Sequence, residues 1–255
     1  MPNACLIDTT RCMGCRGCQV ACKQAHGLKS DRTRFFAKGM IGYQNPLRFS
    51  PANYNYVSFQ ELEDARGGPQ WVFAKHQCMH CQVLYCAAAC PMQVYHRKES
   101  GEVLYEADNC VGCGACVDVC PFRVPAIDYW DTAVPQVRKC DFCYARRQER
   151  GGKPACVQAC PAGAMEFGRR EELIAEARRR IAAKPEKYLP HIYGEEEAGG
   201  TAWLYLAAVP FDKLGLPTSF ERVEQIRKNM LGRHARPPAA LSQTALPTLV
   251  GRRQA

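Results

Sequence analysis

A chain of 255 residues with 47% hydrophobic content is long enough to bury one large core or two ordinary ones, which excludes a chain disordered throughout. A formal net charge of +9 raises nucleic acid as a partner on charge alone. Seventeen cysteines is a heavy load, but disulfide frameworks scatter their cysteines, whereas sixteen of these fall into four compact groups of four.

The first ten residues, MPNACLIDTT, lack a basic region followed by an apolar stretch, so no secretory signal is expected. Ala4 to Asp8 (ACLID) reads as a short strand. Cys5, the odd cysteine, sits beside Leu6 and Ile7 and reads as a small buried hydrophobe. The first cysteine run follows in RCMGCRGCQVACK, with Cys12, Cys15, Cys18 and Cys22. Three thiols this close suit three irons of one cubane, and a fourth further along suits a neighbouring cluster, as in two-cluster ferredoxins. Gly14 and Gly17, between the thiols, let the backbone curl around an inorganic core.

The interval from Lys23 to Gln77 is rich in aromatics (Phe35, Phe36, Tyr43, Phe49, Tyr54, Tyr56, Phe59, Trp71) and holds strand-like runs at Asn55 to Gln60 and Gln70 to Ala74. It reads as a cover packed over the cysteine loops, with a surface that receives a partner's redox centre as the competing reading. The second run is Cys78, Cys81, Cys86 and Cys90 before Pro91, with its second gap widened to four residues. His76 and His80 flank it; with four cysteines present they are assigned to hydrogen bonding or packing rather than to iron.

Met92 to Asn109 reads as a hairpin of VYHRK and VLYEA turned at Gly101. It leads to CVGCGACVDVCP, where Cys110, Cys113, Cys116 and Cys120 precede Pro121 and Gly112 and Gly114 lie between thiols. Zinc takes four ligands around one ion, usually as two separated pairs, and has no use for three thiols packed this closely. Run, hairpin, run is the layout of a two-cluster ferredoxin. Phe122 to Lys139 reads as two short strands around a turn near Tyr129 to Thr132. The fourth run is Cys140 and Cys143, a loop with Gly151 and Gly152, then Cys156, Cys160 and Pro161. Alone it would also suit zinc; three sibling runs favour iron and sulfide.

Arg169 to Lys184 places Leu173, Ile174, Ala177 and Ile181 on one face, opens with Glu171 and Glu172 and stops at Pro185, the pattern of an amphipathic helix. Ala202 to Val209 (AWLYLAAV) reads as a buried strand, stopped by Pro210 and far short of the roughly 20 residues of a membrane span. A second helix is expected from Thr218 to Leu231, opened by a Thr218–Glu221 capping box. From Arg227 onward there are six Lys or Arg residues and no acid, with Pro237, Pro238 and Pro247 among them, an extended tail that is either disordered or wrapped on a partner.

These assignments revise the charge. A cubane near 2+ held by four thiolates carries roughly −2, so four contribute roughly −8 and leave the loaded chain near +1. No nucleic-acid partner is then expected. A Cys-x-x-Cys-His haem site, a G-x-x-x-x-G-K phosphate loop and a complete dinucleotide fingerprint are all missing, so substrate chemistry is expected on another chain. Lys23, Arg123 and Lys139 adjoin cluster cysteines, where a cation raises a cluster potential; the competing reading is solvated surface charge.

Over roughly residues 1 to 220 the sixteen-cysteine pattern resembles the four-cluster, ferredoxin-like electron-transfer subunits of molybdenum or tungsten oxidoreductase complexes. CMHC at Cys78 and KPACVQACPAGAMEFG from Lys153 to Gly168 resemble the β subunit of formate dehydrogenases. The segment from Ile192 to Pro217 is similar both to that group and to the ferredoxin-like subunit of a membrane-linked nickel–iron hydrogenase. The resemblance implies an α+β fold of two ferredoxin-like two-cluster modules, with insertions and a C-terminal extension. Module A would be 1–30 plus 136–170, an inserted cover 31–74, module B 75–135, C-terminal helices and a strand 171–232, and a basic tail 233–255.

It also implies four 4Fe-4S clusters with the last cysteine exchanged inside each module. Cys12, Cys15, Cys18 and Cys160 would hold the first and Cys140, Cys143, Cys156 and Cys22 the second. Cys78, Cys81, Cys86 and Cys120 would hold the third, and Cys110, Cys113, Cys116 and Cys90 the fourth. The implied partners are a molybdopterin (Mo/W) catalytic subunit and a membrane quinone-reactive or cytochrome subunit. Membrane-bound relatives usually close with a transmembrane helix where this chain has its basic tail, so no direct span is expected. The expected setting is a membrane-associated respiratory complex, periplasmic if exported with a signal-bearing partner and otherwise cytoplasmic.

Overall fold

The computed structural model describes residues 2–31, 45–64, 66–130 and 133–221, together with Gln225 and Lys228. Phe35, Phe36 and Tyr43, the body of the helix expected at 218–231 and the tail 233–255 lie outside the described residues.

The chain opens with β1 (Asn3–Asp8), then α1 (Gly17–His26), β2 (Asn55–Glu63) and β3 (Pro69–Gln77). Next come α2 (Tyr85–Ala88), β4 (Tyr95–Arg97), β5 (Val103–Tyr105), α3 (Ala115–Asp118), β6 (Ala126–Asp128) and β7 (Gln136–Arg138). The last third holds α4 (Tyr144–Arg150), α5 (Ala155–Gln158), β8 (Met165–Arg169), α6 (Arg170–Ala183) and β9 (Trp203–Leu206). Short strands and short helices fit the α+β class.

β1 is the centre of a three-stranded sheet in the order β8-β1-β9. It runs antiparallel to β8, with Cys5 opposite Phe167, and parallel to β9, with Cys5 opposite Trp203. Both faces of β1 are covered, which is why Ala4 to Ile7 (ACLI) is a continuous apolar run rather than an alternating one. Cys5 is fully buried within the main core, as its apolar neighbours predict. β9 is buried at every residue. The expected buried strand therefore completes the sheet begun at the N-terminus. β8 is not legible as a strand in the sequence, since MEFGR is short and its partner lies some 160 residues away.

α6 packs Leu173, Ile174 and Ala177 into the core, and its Glu171 and Glu172 occupy the first turn, where the helix dipole favours acids. Arg170 fixes the return to β9, its Nε donating to Thr201 O at 2.8 Å and its Nη2 to Glu195 O at 2.7 Å. β2 and β3 form a nine-residue antiparallel ladder from Asn55↔Gln77 to Glu63↔Pro69, longer at both strands than the sequence patterns indicate. Phe59, Trp71 and Phe73 stack edge-on along it. The hairpins expected at 92–109 and 122–139 are β4/β5 and β6/β7, with Asp131 and Thr132 outside the described residues. At the first turn Gly101 has φ +98°, and a Cβ there would meet Pro2 Cβ at 2.7 Å, so the hairpin tip lies against the N-terminus. The Glu102–Arg147 ion pair, nearly inaccessible at both side chains, ties this tip to α4.

Candidate cofactor sites

Each cysteine run folds as a loop followed by a short helix. α1 carries Cys18 and Cys22, α2 carries Cys86, α3 carries Cys116 and α5 carries Cys156. The loops curl through left-handed backbone. Gly112 has φ +66°, and a Cβ there would stand 2.5 Å from Pro135 Cβ and 2.9 Å from its carbonyl oxygen, so only glycine fits. Gly14, at the same place in the first run, lies under the Phe73 ring and brings the β2/β3 hairpin onto that loop.

The runs converge across long sequence separations. One cavity is lined by Cys12, Cys15, Cys18 and Cys160. A second is lined by Cys78, Cys81, Cys86 and Cys120, and a third by Cys90, Cys110, Cys113 and Cys116. Cys22, Cys140, Cys143 and Cys156 are all buried, and the Cys22 and Cys143 thiols act electrostatically on both Cys140 and Cys156. Neighbouring groups influence one another electrostatically in one order. Cys156 acts on Cys18, Cys78 on Cys140, and Cys116 on Cys86.

All seventeen cysteines are free of disulfides. Burial raises Cys18 to about 12 and Cys86 to about 12, opposed next by Lys75 and Lys139 respectively and reinforced by neighbouring thiols. Burial also raises Cys120 to about 12. Thiols buried side by side ionise together only around a cationic centre, the donor chemistry of an iron–sulfur core. Each group also has a backbone N–H aimed at one sulfur. Ala164 donates to Cys160 Sγ at 3.3 Å, Phe142 to Cys140 Sγ at 3.3 Å, Val124 to Cys120 Sγ at 3.5 Å and Gly112 to Cys110 Sγ at 3.4 Å.

Residues 69–170 match one 4Fe-4S dicluster domain family and residues 11–94 match another. The chain is 34% identical over 241 residues to the hydrogenase-2 operon protein HybA of Shigella flexneri, covering 83% of this chain and 72% of the relative. It is 37% identical over 190 residues to the formate dehydrogenase 2 subunit beta (cytochrome c-553) of Nitratidesulfovibrio vulgaris, covering 71% of this chain and 83% of the relative. The chain belongs to this family of iron–sulfur electron-transfer subunits. A further relative, from Nitratidesulfovibrio vulgaris, is 39% identical over 211 residues, which are 83% of this chain and 55% of that protein, so the chain spans little more than half of its length.

As a subunit with two dicluster domains, the chain carries four 4Fe-4S clusters. Its cavities suit them. His80, which lines the Cys78/Cys81/Cys86/Cys120 cavity, accepts at Nδ1 from Val103 N at 3.0 Å, which puts its proton on Nε2. That buried Nε2–H has no partner among the described residues and suits a sulfide acceptor. Burial, then Lys139 and Arg97, lowers the His80 pKa well below the usual range and keeps the ring neutral. His76 packs instead, stacked on Tyr56 at 4.7 Å and bonded to Ser58 Oγ at 2.9 Å.

Of the three cations beside cluster cysteines, Arg123 is exposed and Lys23 is half-buried, bonded to Ala52 O at 2.7 Å. Lys139 is buried, which overturns its reading as surface charge. Sequence reasoning missed Lys75, equally buried, and His26. The His26 ring lies 2.8 Å from Asp141 Oδ1 and 2.9 Å from the Cys22 carbonyl. Burial opposes its charge, but hydrogen bonds to Asp141, Cys143 and Cys22 outweigh that and raise its pKa. His26 and Asp141 are 115 residues apart, so no local pattern links them. Among the described residues no helix is long and apolar enough to cross a membrane.

Proposed function

We propose that the subunit relays single electrons through four clusters in a row. Cys12, Cys15, Cys18 and Cys160 hold the first, and Cys140, Cys143, Cys156 and Cys22 the second. Cys78, Cys81, Cys86 and Cys120 hold the third, and Cys110, Cys113, Cys116 and Cys90 the fourth. The observation that carries this reading is that three separate cavities are each ringed by three cysteines of one run and the last cysteine of another. Runs one and four then form module A, 1–30 plus 136–170, and runs two and three form module B, 75–135, with 31–74 as cover.

When bound, each cluster takes up and releases one electron. The chain's own residues space the clusters, exclude water and direct N–H groups at sulfur. Each cluster has all four of its thiols, which leaves no open coordination position for a substrate, so the chain is not catalytic by itself. Cys15 and Cys113, the exposed cysteines, belong to the first and fourth groups, which makes those two the ends where electrons enter and leave.

The partners this reading supplies are a molybdenum or tungsten pterin subunit, formate dehydrogenase-like, at one end and a membrane quinone-reactive or cytochrome subunit at the other. The similarity to a formate dehydrogenase β subunit over 83% of that relative supports this choice. A second reading, service to a nickel–iron hydrogenase, is favoured by the 241-residue similarity to HybA. The setting in either case is a membrane-associated respiratory complex. Affinity purification of the native complex with metal analysis separates them. Molybdenum or tungsten in proportion to the chain supports the first, nickel the second, and a chain recovered without any of these metals contradicts both.

A further inference from the structure

Two lysines are almost completely buried, Lys75 at 3% and Lys139 at 1% exposure. A buried ammonium is costly unless its charge is answered nearby. Within the described residues neither forms an ion pair with a carboxylate; the Asp141 carboxylate acts on Lys139 only through the field. Lys75 Nζ donates to Gln77 Oε1 at 2.7 Å and lies 4.2 Å from the centre of the Trp203 ring. Lys139 Nζ donates to Val103 O at 2.7 Å and Cys140 O at 3.0 Å, with the Tyr105 and Tyr95 rings at 5.3 and 5.9 Å.

What surrounds both charges is thiol. Lys75 lines the Cys12/Cys15/Cys18/Cys160 cavity and Lys139 lines the Cys78/Cys81/Cys86/Cys120 cavity. Cys156, Cys18 and Cys140 lie within electrostatic reach of Lys75, and Cys78, Cys86 and Cys140 within reach of Lys139. Lys75 thus faces the first and second groups, and Lys139 the second and third. The remaining junction, between the third and fourth groups, has a neutral side chain, Tyr95, against Cys116 and Cys86.

We propose that Lys75 and Lys139 are fixed positive charges at the first two junctions of the relay, raising the reduction potentials of the clusters they face and leaving the fourth cluster without such a charge. The proposal rests on the ligand sets given above. Reduction adds one electron to a cluster, and a buried cation beside it stabilises the reduced state more than the oxidised one. Both lysines act as positioning residues, through the field and not through ligation. The second cluster, flanked by both, gains most.

The test is a redox titration of the cluster-loaded subunit followed by EPR, with Lys75→Met and Lys139→Met as neutral variants of similar size. Each variant is expected to lower two of the four midpoints by at least tenfold in the reduction equilibrium, about 59 mV for one electron. One cluster should move in both variants and one in neither. Lys75→Arg and Lys139→Arg keep the charge and should keep the midpoints. If a methionine variant fails to load, the arginine variant decides: unchanged midpoints support the proposal and a fall of the same size overturns it. Midpoints unmoved in loaded methionine variants, or all four moving together, also overturn it. A parent chain that loads well short of about sixteen irons instead contradicts the ligand sets, independently of the lysines.

Discussion

At the scale of single residues, the decisive positions are the last cysteines of the runs. Cys120 follows the third run in sequence but lines a cavity with Cys78, Cys81 and Cys86 of the second, while Cys90 lines the cavity of the third. Cys120→Ser and Cys81→Ser are therefore expected to remove the same EPR signal from the reduced subunit, and Cys113→Ser a different one. Loss of the Cys113 signal in Cys120→Ser would contradict the exchange. The four cysteine runs were legible because iron–sulfur spacing is a short-range pattern. The lysines were only half legible. Lys139 adjoins Cys140 in sequence, but its burial depends on β5 and on the rings of Tyr95 and Tyr105. Lys75 lies three residues before Cys78 on a strand, and nothing local marks it, since its thiol neighbours Cys18 and Cys156 come from two other runs.

At the scale of elements, the cofactor loops hang on a sheet assembled from both ends of the described chain. β1 leads into the first loop, β8 leaves the fourth, and β9 pairs beside β1 from residues some 200 positions away. The strands of the three hairpins and the amphipathic α6 were readable from alternation, turn glycines and helical period. α1 was not, because the spacing that places Cys18 and Cys22 on it reads first as a ligand pattern. The sheet order was not readable either, because no local signal pairs Cys5 with both Phe167 and Trp203. Leu204 is fully buried in β9, opposite Leu6. Leu204→Ala is expected to cost about 2–5 kcal/mol through lost burial and a cavity. Thermal unfolding of the loaded subunit checks this; a change within about 0.5 kcal/mol, as for an exposed site, would show that β9 does not support the core.

At the scale of the whole molecule, charge, cysteine count and fold meet in one account. A chain at +9 surrounds four groups of thiols that, loaded as cubanes, contribute roughly −8, so the basic excess is largely an answer to its cofactors. Part of that answer, Lys75 and Lys139, is inside the protein beside the thiols. In the proposed ligand sets the electrostatic neighbours between successive groups are Cys18 and Cys156, Cys140 and Cys78, and Cys86 and Cys116, and the proposed path runs from one exposed cysteine, Cys15, to the other, Cys113. The most direct test of this relay is iron and acid-labile sulfide analysis of the anaerobically purified subunit, combined with EPR of its dithionite-reduced form. The account predicts about sixteen irons with equal sulfide, and spins from four reduced cubanes. Well under sixteen irons, or zinc without sulfide and no EPR signal, would contradict it.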